Sequence, residues 1–587
     1  KDVNPLVQTG NGFPVPMAEM GGVIYFDASD VDHGHELWRT DGTASGTFMV
    51  KDIYPGVGGS SPASNTSPVV AGGLLFFVAV DPDHGRELWR SDGTEAGTFM
   101  VKDIDPTTFN GSPASSDPFF LAALGDVVLF AADDQPHGRA LWRSDGTESG
   151  TYVVGDMQPG PEPSNIGPLT IIGGIAVFPA SDIDHGLEMW RSDGTVAGTF
   201  LLADIRPGSS SSLSGTGYDH AGDGATLFFA ANDGTHGREL WKTDGTPAGT
   251  VLVKDVDPGS DSGVVLRSHA FLDGNLYFLA NEFTSQAALW KSDGTEAGTV
   301  LVKDLHPSGF FYARLMAVGS SLFFNADDGI HGIEPWTSDG TEAGTMLIRD
   351  VAPGPASSFP TGGRTPYFSE SGWKVWFAAD DGVHGEELWS SDGTAAGTNL
   401  VEDVFPGPDA SSIIQLSVMD GDLLFRADDG SHGTELWRAA GVGGGAMMVQ
   451  DIAPGSTGSS AGYPFAPERL GSRIVLSADD GVHGTELWWG WAAIVTHQPA
   501  RAVHDLGDEL LKLDLPIGLE RVLGRSLDAA SVALAGSGGE LEAIDALGRF
   551  EAQVKRLSPR LVSGEDRAAL LDFASQIVSL LEEAIGS

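Results

Sequence analysis

Gly72-Gly73-Leu74-Leu75-Phe76-Phe77, Asp83-His84-Gly85-Arg86-Glu87-Leu88-Trp89-Arg90-Ser91-Asp92-Gly93-Thr94 and Ala96-Gly97-Thr98-Phe99-Met100-Val101-Lys102-Asp103-Ile104 follow one another within residues 72–104. The apolar, aromatic and β-branched runs predict strands at Leu74 to Ala79 (strand B), Glu87 to Ser91 (C) and Thr98 to Ile104 (D). A less regular strand A precedes them at Ser67-Pro68-Val69-Val70. Asp92-Gly93 opens a hairpin, because Asp-Gly tolerates the positive φ of a tight turn.

The unit recurs along most of the chain. Its tryptophan returns at Trp38, Trp89, Trp142, Trp190, Trp241, Trp290, Trp336, Trp389, Trp437 and Trp488, at intervals of 46 to 53 residues. Ten copies of four short strands, with no helical periodicity between them, predict an all-β propeller of ten four-stranded blades over residues 1–492. Two five-bladed propellers are the alternative, although no break appears near Ser260. The tryptophans are expected in the core between blades. Lys1-Asp2-Val3 matches the end of a strand D, and the tenth copy lacks its own Asp-Gly-Thr hairpin and strand D. One ring closed by the N-terminal strand follows, which removes sheet edges that invite aggregation.

The repeated Glu36-Leu37-Trp38-Arg39-Thr40-Asp41-Gly42-Thr43 and Glu387-Leu388-Trp389-Ser390-Ser391-Asp392-Gly393-Thr394 resemble the ELWxxDGT repeat proteins of bacteria. The match covers roughly residues 1 to 490. It departs at Ala288-Leu289-Trp290, Glu334-Pro335-Trp336 and Ala439-Ala440-Gly441. The resemblance implies a secreted or cell-surface protein and names no activity. The Ser-Asp-Gly-Thr turn is also loosely similar to the Asp-box of sialidase-type propellers, which is structural.

Composition narrows the function classes. The net charge of −48, from 81 acidic and 33 basic residues, repels a phosphate backbone and excludes nucleic acid as a partner. The absence of cysteine excludes disulfides, thiolate zinc sites and cysteine nucleophiles. Glycine, at 80 of 587 residues, is about twice its usual share and signals many tight turns. No run of about 18 apolar residues is present to span a membrane. No signal peptide is visible, and Lys1-Asp2-Val3-Asn4-Pro5 is expected to be a processed or trimmed end.

Antiparallel order places the B–C and D–A connections on one face of the disc. That face collects His33, His84, His137, His185, His236, His331, His384, His432 and His483. A histidine present in nine blades is expected to be a blade-building hydrogen bond fixing the B–C turn, rather than a metal ligand or a base. The same loops carry the pairs Asp327-Asp328, Asp380-Asp381, Asp428-Asp429 and Asp479-Asp480, with Asp103, Asp255, Asp304, Asp350 and Asp403 nearby. Such oxygens suit calcium, which takes six to eight. The spacing matches neither an EF-hand nor a nonapeptide calcium repeat, and turn formation with lysine pairing, as at Lys51-Asp52, is the competing reading.

From Gln498 the pattern turns helical. Ala543, Leu547, Phe550, Val554 and Leu557 alternate steps of four and three, as do Leu570, Ala574, Ile577, Leu581 and Ala584. Residues 498–587 are expected to form a bundle of three or four helices, with Ser563 and Asp566 in a capping box. Its role would be a cap or spacer, or self-association into homo-oligomers. The expected function is a non-catalytic extracellular scaffold that binds a protein or glycan. A lectin is the runner-up, and a propeller hydrolase or lyase stands behind it. The singular features for catalysis are copy six and the segments Arg364-Thr365-Pro366-Tyr367 and Trp373-Lys374-Val375-Trp376. No nucleophile elbow, zinc motif or phosphate loop is visible.

Overall fold

The pairing of each strand B with the strand C that follows it organises the molecule. In a computed structural model, Leu74–Asp81 pairs antiparallel with Gly85–Ser91, setting Phe77 directly across from Trp89. The same Phe–Trp pairing recurs in the first nine blades, and Leu476 faces Trp488 in the tenth. The structure describes residues 12–491 and 499–586, apart from 44, 64–65, 110, 216–218, 259–262, 281–287, 306–313, 360–368, 372–373, 420, 441–444, 457, 462–466, 471–472, 512–516, 536–538, 558–561 and 563.

Among the described residues, nine four-stranded sheets joined A-B-C-D and a last three-stranded one joined A-B-C follow in chain order, with a two-stranded ladder of Thr108–Phe109 and Ser112–Pro113 between blades 2 and 3. The last comprises Glu468–Leu470, Arg473–Asp479 and Thr485–Trp491. The first strands of successive blades approach one another, as Val69–Ala71 approaches Phe119–Leu124, so strand A lies innermost. Strands B and C reach further into the B–C turn than the sequence suggests. Strand D is shorter, only Phe99–Met100 in blade 2. It leaves the ladder because the Ile104 N–H turns to the Glu87 carboxylate at 3.2 Å.

Alternation along strand B splits its side chains between two neighbours. Phe77 packs toward blade 1 against Tyr25 and Leu37, and Phe76 toward blade 3 against Phe130 and Trp142. A fully buried phenylalanine occupies the Phe77 position in blades 1 to 9. Each contributes about 1.5–3 kcal/mol of hydrophobic stabilisation. The ten tryptophans lie in or against these inter-blade clusters, as expected.

The clusters run without interruption around one ring. Blades 5 and 6 share Phe228, Leu240, Leu276 and Phe278, where two five-bladed rings would part. Blade 10 meets blade 1 through Leu470, Val475, Leu487, Ile24, Phe26 and Trp38. Arg473 of blade 10 also donates to the Gly42 carbonyl of blade 1. The proposed closing strand Lys1-Asp2-Val3 lies outside the described residues, which begin at Gly12. Gly12 donates its N–H to Thr485 O at 3.0 Å and to the Glu486 carboxylate at 3.2 Å, and its carbonyl accepts from Ser29 N. Ser60 makes the same three bonds, to His35 O, Glu36 and Val80 N, between blades 1 and 2. The N-terminal segment therefore serves blade 10 as a D–A connection serves every other blade.

Four helices follow: α1 (Pro499–Leu511), α2 (Ile517–Leu534), α3 (Glu540–Val554) and α4 (Gly564–Gly586). Each packs on the next, and α1 packs on α4. Ala543, Leu547, Phe550, Val554, Leu557, Leu570, Ala574, Ile577 and Leu581 are buried in their shared core. Ser563 and the side chain of Ala584 lie outside the described residues.

Candidate functional site

The acidic face is built by carboxylates that tie loops to strands. Glu36 opens strand C on a buried position. Its carboxylate accepts from Ile53 N (3.0 Å), Tyr54 N (2.9 Å), Ser60 N (3.1 Å) and Ser60 Oγ (2.6 Å), so one side chain stitches the D–A connection to the blade. Glu87, Glu188, Glu239, Glu334, Glu387 and Glu435 repeat this arrangement with two or more loop donors each. Burial pushes the carboxyls of Glu87, Glu188, Glu239, Glu334 and Glu387 up to about 7, with the hydrogen bonds pulling the other way. Blade 3 has Ala140 there instead, and the Ser164 hydroxyl accepts from Gln158 N at 3.2 Å. Sequence reading missed this buried glutamate. Its signal was a serine 24 residues downstream, as in Glu36/Ser60, Glu188/Ser212 and Glu334/Ser358.

The histidines take the structural role expected of them. Each Nδ1 donates to the aspartate three residues earlier, as in His33–Asp30, His84–Asp81 (both 2.9 Å) and His137–Asp134 (2.8 Å). His185, His236, His331, His384, His432 and His483 do the same at 2.7 to 2.8 Å. The copy-six loop, residues 282–286, lies outside the described residues. The aspartate bond raises His84, His331 and His384, against a smaller opposing effect of burial.

The acidic pairs divide their labour. Asp327, Asp380, Asp428 and Asp479 each accept the N–H of a turn glycine, at 2.6 to 2.8 Å. Asp328, Asp381, Asp429 and Asp480 hold the histidines. Burial would raise these four, but the bonds from the histidine backbone and ring prevail and lower them. Asp103, Asp350 and Asp403 differ: each has a buried Oδ1 without a hydrogen-bond partner, as do Asp52, Asp156, Asp255 and Asp451. Among the described residues no group of three or more His, Cys, Asp or Glu is arranged to hold a metal. Lysine pairing is not the geometry at Lys51. Its Nζ donates to Thr98 O of the next blade at 2.8 Å, and Lys102 and Lys303 do likewise.

The opposite face carries the Asp-Gly-Thr turns. Asp92 Oδ1 accepts from Thr94 N (2.9 Å) and Thr94 Oγ1 (2.6 Å), and Thr94 Oγ1 accepts from Gly97 N (3.0 Å). These bonds stay inside the turn.

The repetition is also broken at a cavity. A cavity of about 680 Å³ lies across blades 2 to 4, lined by Thr66, Ser67, Arg86, Phe119, Phe120 and Arg139 among others. Its residues precede or begin strands A and open strands C, which puts it at the inner rim of the histidine-bearing face. Arg139 lies 4.3 Å over the Phe119 ring and pairs with Asp133 at 2.7 Å. Phe120 has φ +55° beside a register shift in strand A. Residues 364–367 and Trp373, the other expected singular features, lie outside the described residues.

Fold and site together define a ten-bladed β-propeller with an asymmetric cavity among its described residues. No family model matches the chain, and no curated protein matches it. It is similar to solved structures at a distance. The designed Ika8 protein is 17% identical, with 63% of this chain and 95% of that one covered and a TM-score of 0.30. Puromycin hydrolase is 19% identical, with 64% and 59% covered and a TM-score of 0.28. BamB from Moraxella catarrhalis is 11% identical, with 62% and 92% covered and a TM-score of 0.29. The chain thus spans 59% of the puromycin hydrolase chain. These likenesses are too distant to carry a function over.

Proposed function

We propose that this protein is a non-catalytic binding or scaffold protein of the extracellular space or cell surface, in line with its resemblance to ELWxxDGT repeat proteins. One observation carries the reading. The repeated strand-C Glu, the B–C loop His with its Asp, and the Asp and Thr of the Asp-Gly-Thr turns are engaged in blade-building bonds, while a cavity on blades 2 to 4 has a lining that differs from blade to blade. A reaction centre needs a nucleophile or base free to meet substrate. A binding protein needs a rigid frame with one shaped recess. The excess of acidic groups suits a soluble, exposed molecule. A screen for turnover of glycoside, peptide and phosphate ester substrates, run beside glycan-array and protein pull-down binding, tests this. Binding without turnover is expected, and sustained turnover of any substrate class overturns it.

Calcium belongs to the same proposal. The partnerless Oδ1 atoms of Asp103, Asp350 and Asp403 are hard donors without a bond. A calcium ion there would need backbone carbonyls and water to complete its shell, since among the described residues the carboxylates alone do not converge. Self-association through the helical bundle remains part of the scaffold reading. Its predicted apolar stripes face inward, so Val532 and Leu541, both exposed on helices α2 and α3, are the surface it would use.

A further inference from the structure

The lining of the blade 2–4 cavity is unlike the rest of the molecule. In a protein of net charge −48, it gathers two guanidiniums, Arg86 and Arg139, each beside an aspartate partner, Asp117 and Asp133. The arginines open strand C in adjacent blades. Asp117 lies 3.7 Å from Arg86 Nε, and Asp133 fixes Arg139 from outside the lining. Planar, fixed guanidiniums recognise carboxylates through paired N–H donors.

The aromatic wall is equally singular. Positive φ at Asp117 is part of the repeat, since Ser61, Asn165, Ser412 and Ser460 share it at the matching position. Among the described residues, positive φ at Phe120 has no such counterpart. The left-handed region is strained for a bulky side chain, costing about 1–3 kcal/mol, and such strain concentrates at ligand sites. Phe120 sits in the strand-A bulge between Phe119 and Ala122, a shift that strand A also makes in blades 1, 6 and 9, and it meets Phe119 edge-on at 5.0 Å. An aromatic ring in a recess that also carries charged groups offers a flat apolar surface to a ring of similar size. Thr66 and Ser67 add hydroxyls to the lining, with Thr66 Oγ1 donating to the Pro118 carbonyl at 3.2 Å.

We propose that this cavity binds a carboxylated sugar, a hexuronate residue, with its carboxylate held by Arg86 and Arg139 and its ring face against Phe120. The volume suits a sugar-sized ligand. This assignment rests on the binding reading above and narrows it to an acidic saccharide at one site, in place of one sugar site per blade.

The test uses the full chain and isothermal titration with sodium D-glucuronate, D-glucose, acetate and an oligogalacturonide. Glucuronate is expected to bind at least tenfold more tightly than glucose or acetate. Arg86→Gln and Arg139→Gln are each expected to weaken it tenfold or more with unchanged melting temperature. Phe120→Gly relieves the backbone strain, so it should weaken binding without lowering the melting temperature. Tighter binding of the oligomer than of the monomer assigns the ligand to a polymer, and equal affinity per sugar assigns it to the free acid. Equal affinity for glucose or acetate, or no binding of either uronate form, overturns the assignment. In that case a neutral glycan or protein captured in the wider screen would leave the binding function standing, and an empty screen would remove both. The comparison of acid with neutral sugar on the unaltered protein decides the matter even if a variant fails to fold.

Discussion

Replacing Gly97 by alanine is expected to break the blade 2 turn through a single clash. A Cβ at residue 97 would sit 2.0 Å from Asp92 Oδ1, far inside contact distance. The backbone of Gly97 needs no left-handed conformation, so sterics alone make the prediction. The carboxylate must swing away and release Thr94 N and Thr94 Oγ1, and the Gly97 N–H to Thr94 Oγ1 bond is strained with it. At about 0.5–1.5 kcal/mol net for each bond, Gly97→Ala should cost about 2–3 kcal/mol. Asp92→Ala releases the same two Thr94 bonds and should cost about 1–3 kcal/mol. In the double variant the clash has no second atom, so adding Gly97→Ala to Asp92→Ala should cost nothing. It could even recover about 0.4–1 kcal/mol from the stiffer unfolded chain. The assay is a double-mutant cycle on the urea unfolding midpoint, with amide exchange at Thr94 as a local probe. Additive costs would refute the reasoning, because they would mean that Gly97 and Asp92 act separately.

Other outcomes follow from the same bonds. The buried glutamates held at about 7, and histidines such as His84 and His384 raised by their aspartates, bind protons more tightly folded than unfolded. Their stabilisation is full below the unfolded values and is lost as pH rises through about 7, so the melting temperature should fall between pH 5 and pH 8. A rise over that range would contradict the carboxyl assignments. Turn aspartates such as Asp92 and Asp392 are lowered by their threonine bonds and act oppositely, losing their share only as pH falls below the ordinary carboxylate range. Deleting residues 1–13 removes the Gly12 bonds to Thr485 and Glu486, and should lower the melting temperature by several degrees; an unchanged melt would show that blade 10 closes without them. EDTA should lower the melting temperature and added calcium restore it, whereas indifference to both rejects bound calcium.

Much of this architecture is legible in the repeat, because inward-facing Phe, Leu and Trp at fixed offsets state which side of a strand is buried. A structural role for the histidines was readable for the same reason, since nine copies at one spacing imply a shared local bond, but the choice of the aspartate three residues earlier over a neighbouring carbonyl came only with the structure. The glutamate clamp was harder to see, since Glu36 reads as an ordinary polar strand position until its loop donors are brought to it from Ile53 and Ser60. The cavity was invisible for a different reason. Arg86 and Arg139 stand 53 residues apart in separate copies, and only the ring brings them to one rim. The short strand D follows from the same clamp, as propensity favours a longer strand than the carboxylate allows.

The central claim is that one ring of ten blades is held by its own repeated polar side chains. An experimental density map of the full chain tests it most directly. The account predicts ten blades around one channel, Gly12 bonded to Glu486 across the seam, and each buried strand-C glutamate receiving its loop N–H donors. Two rings of five, or glutamates turned to solvent with the loops bonded elsewhere, would contradict it.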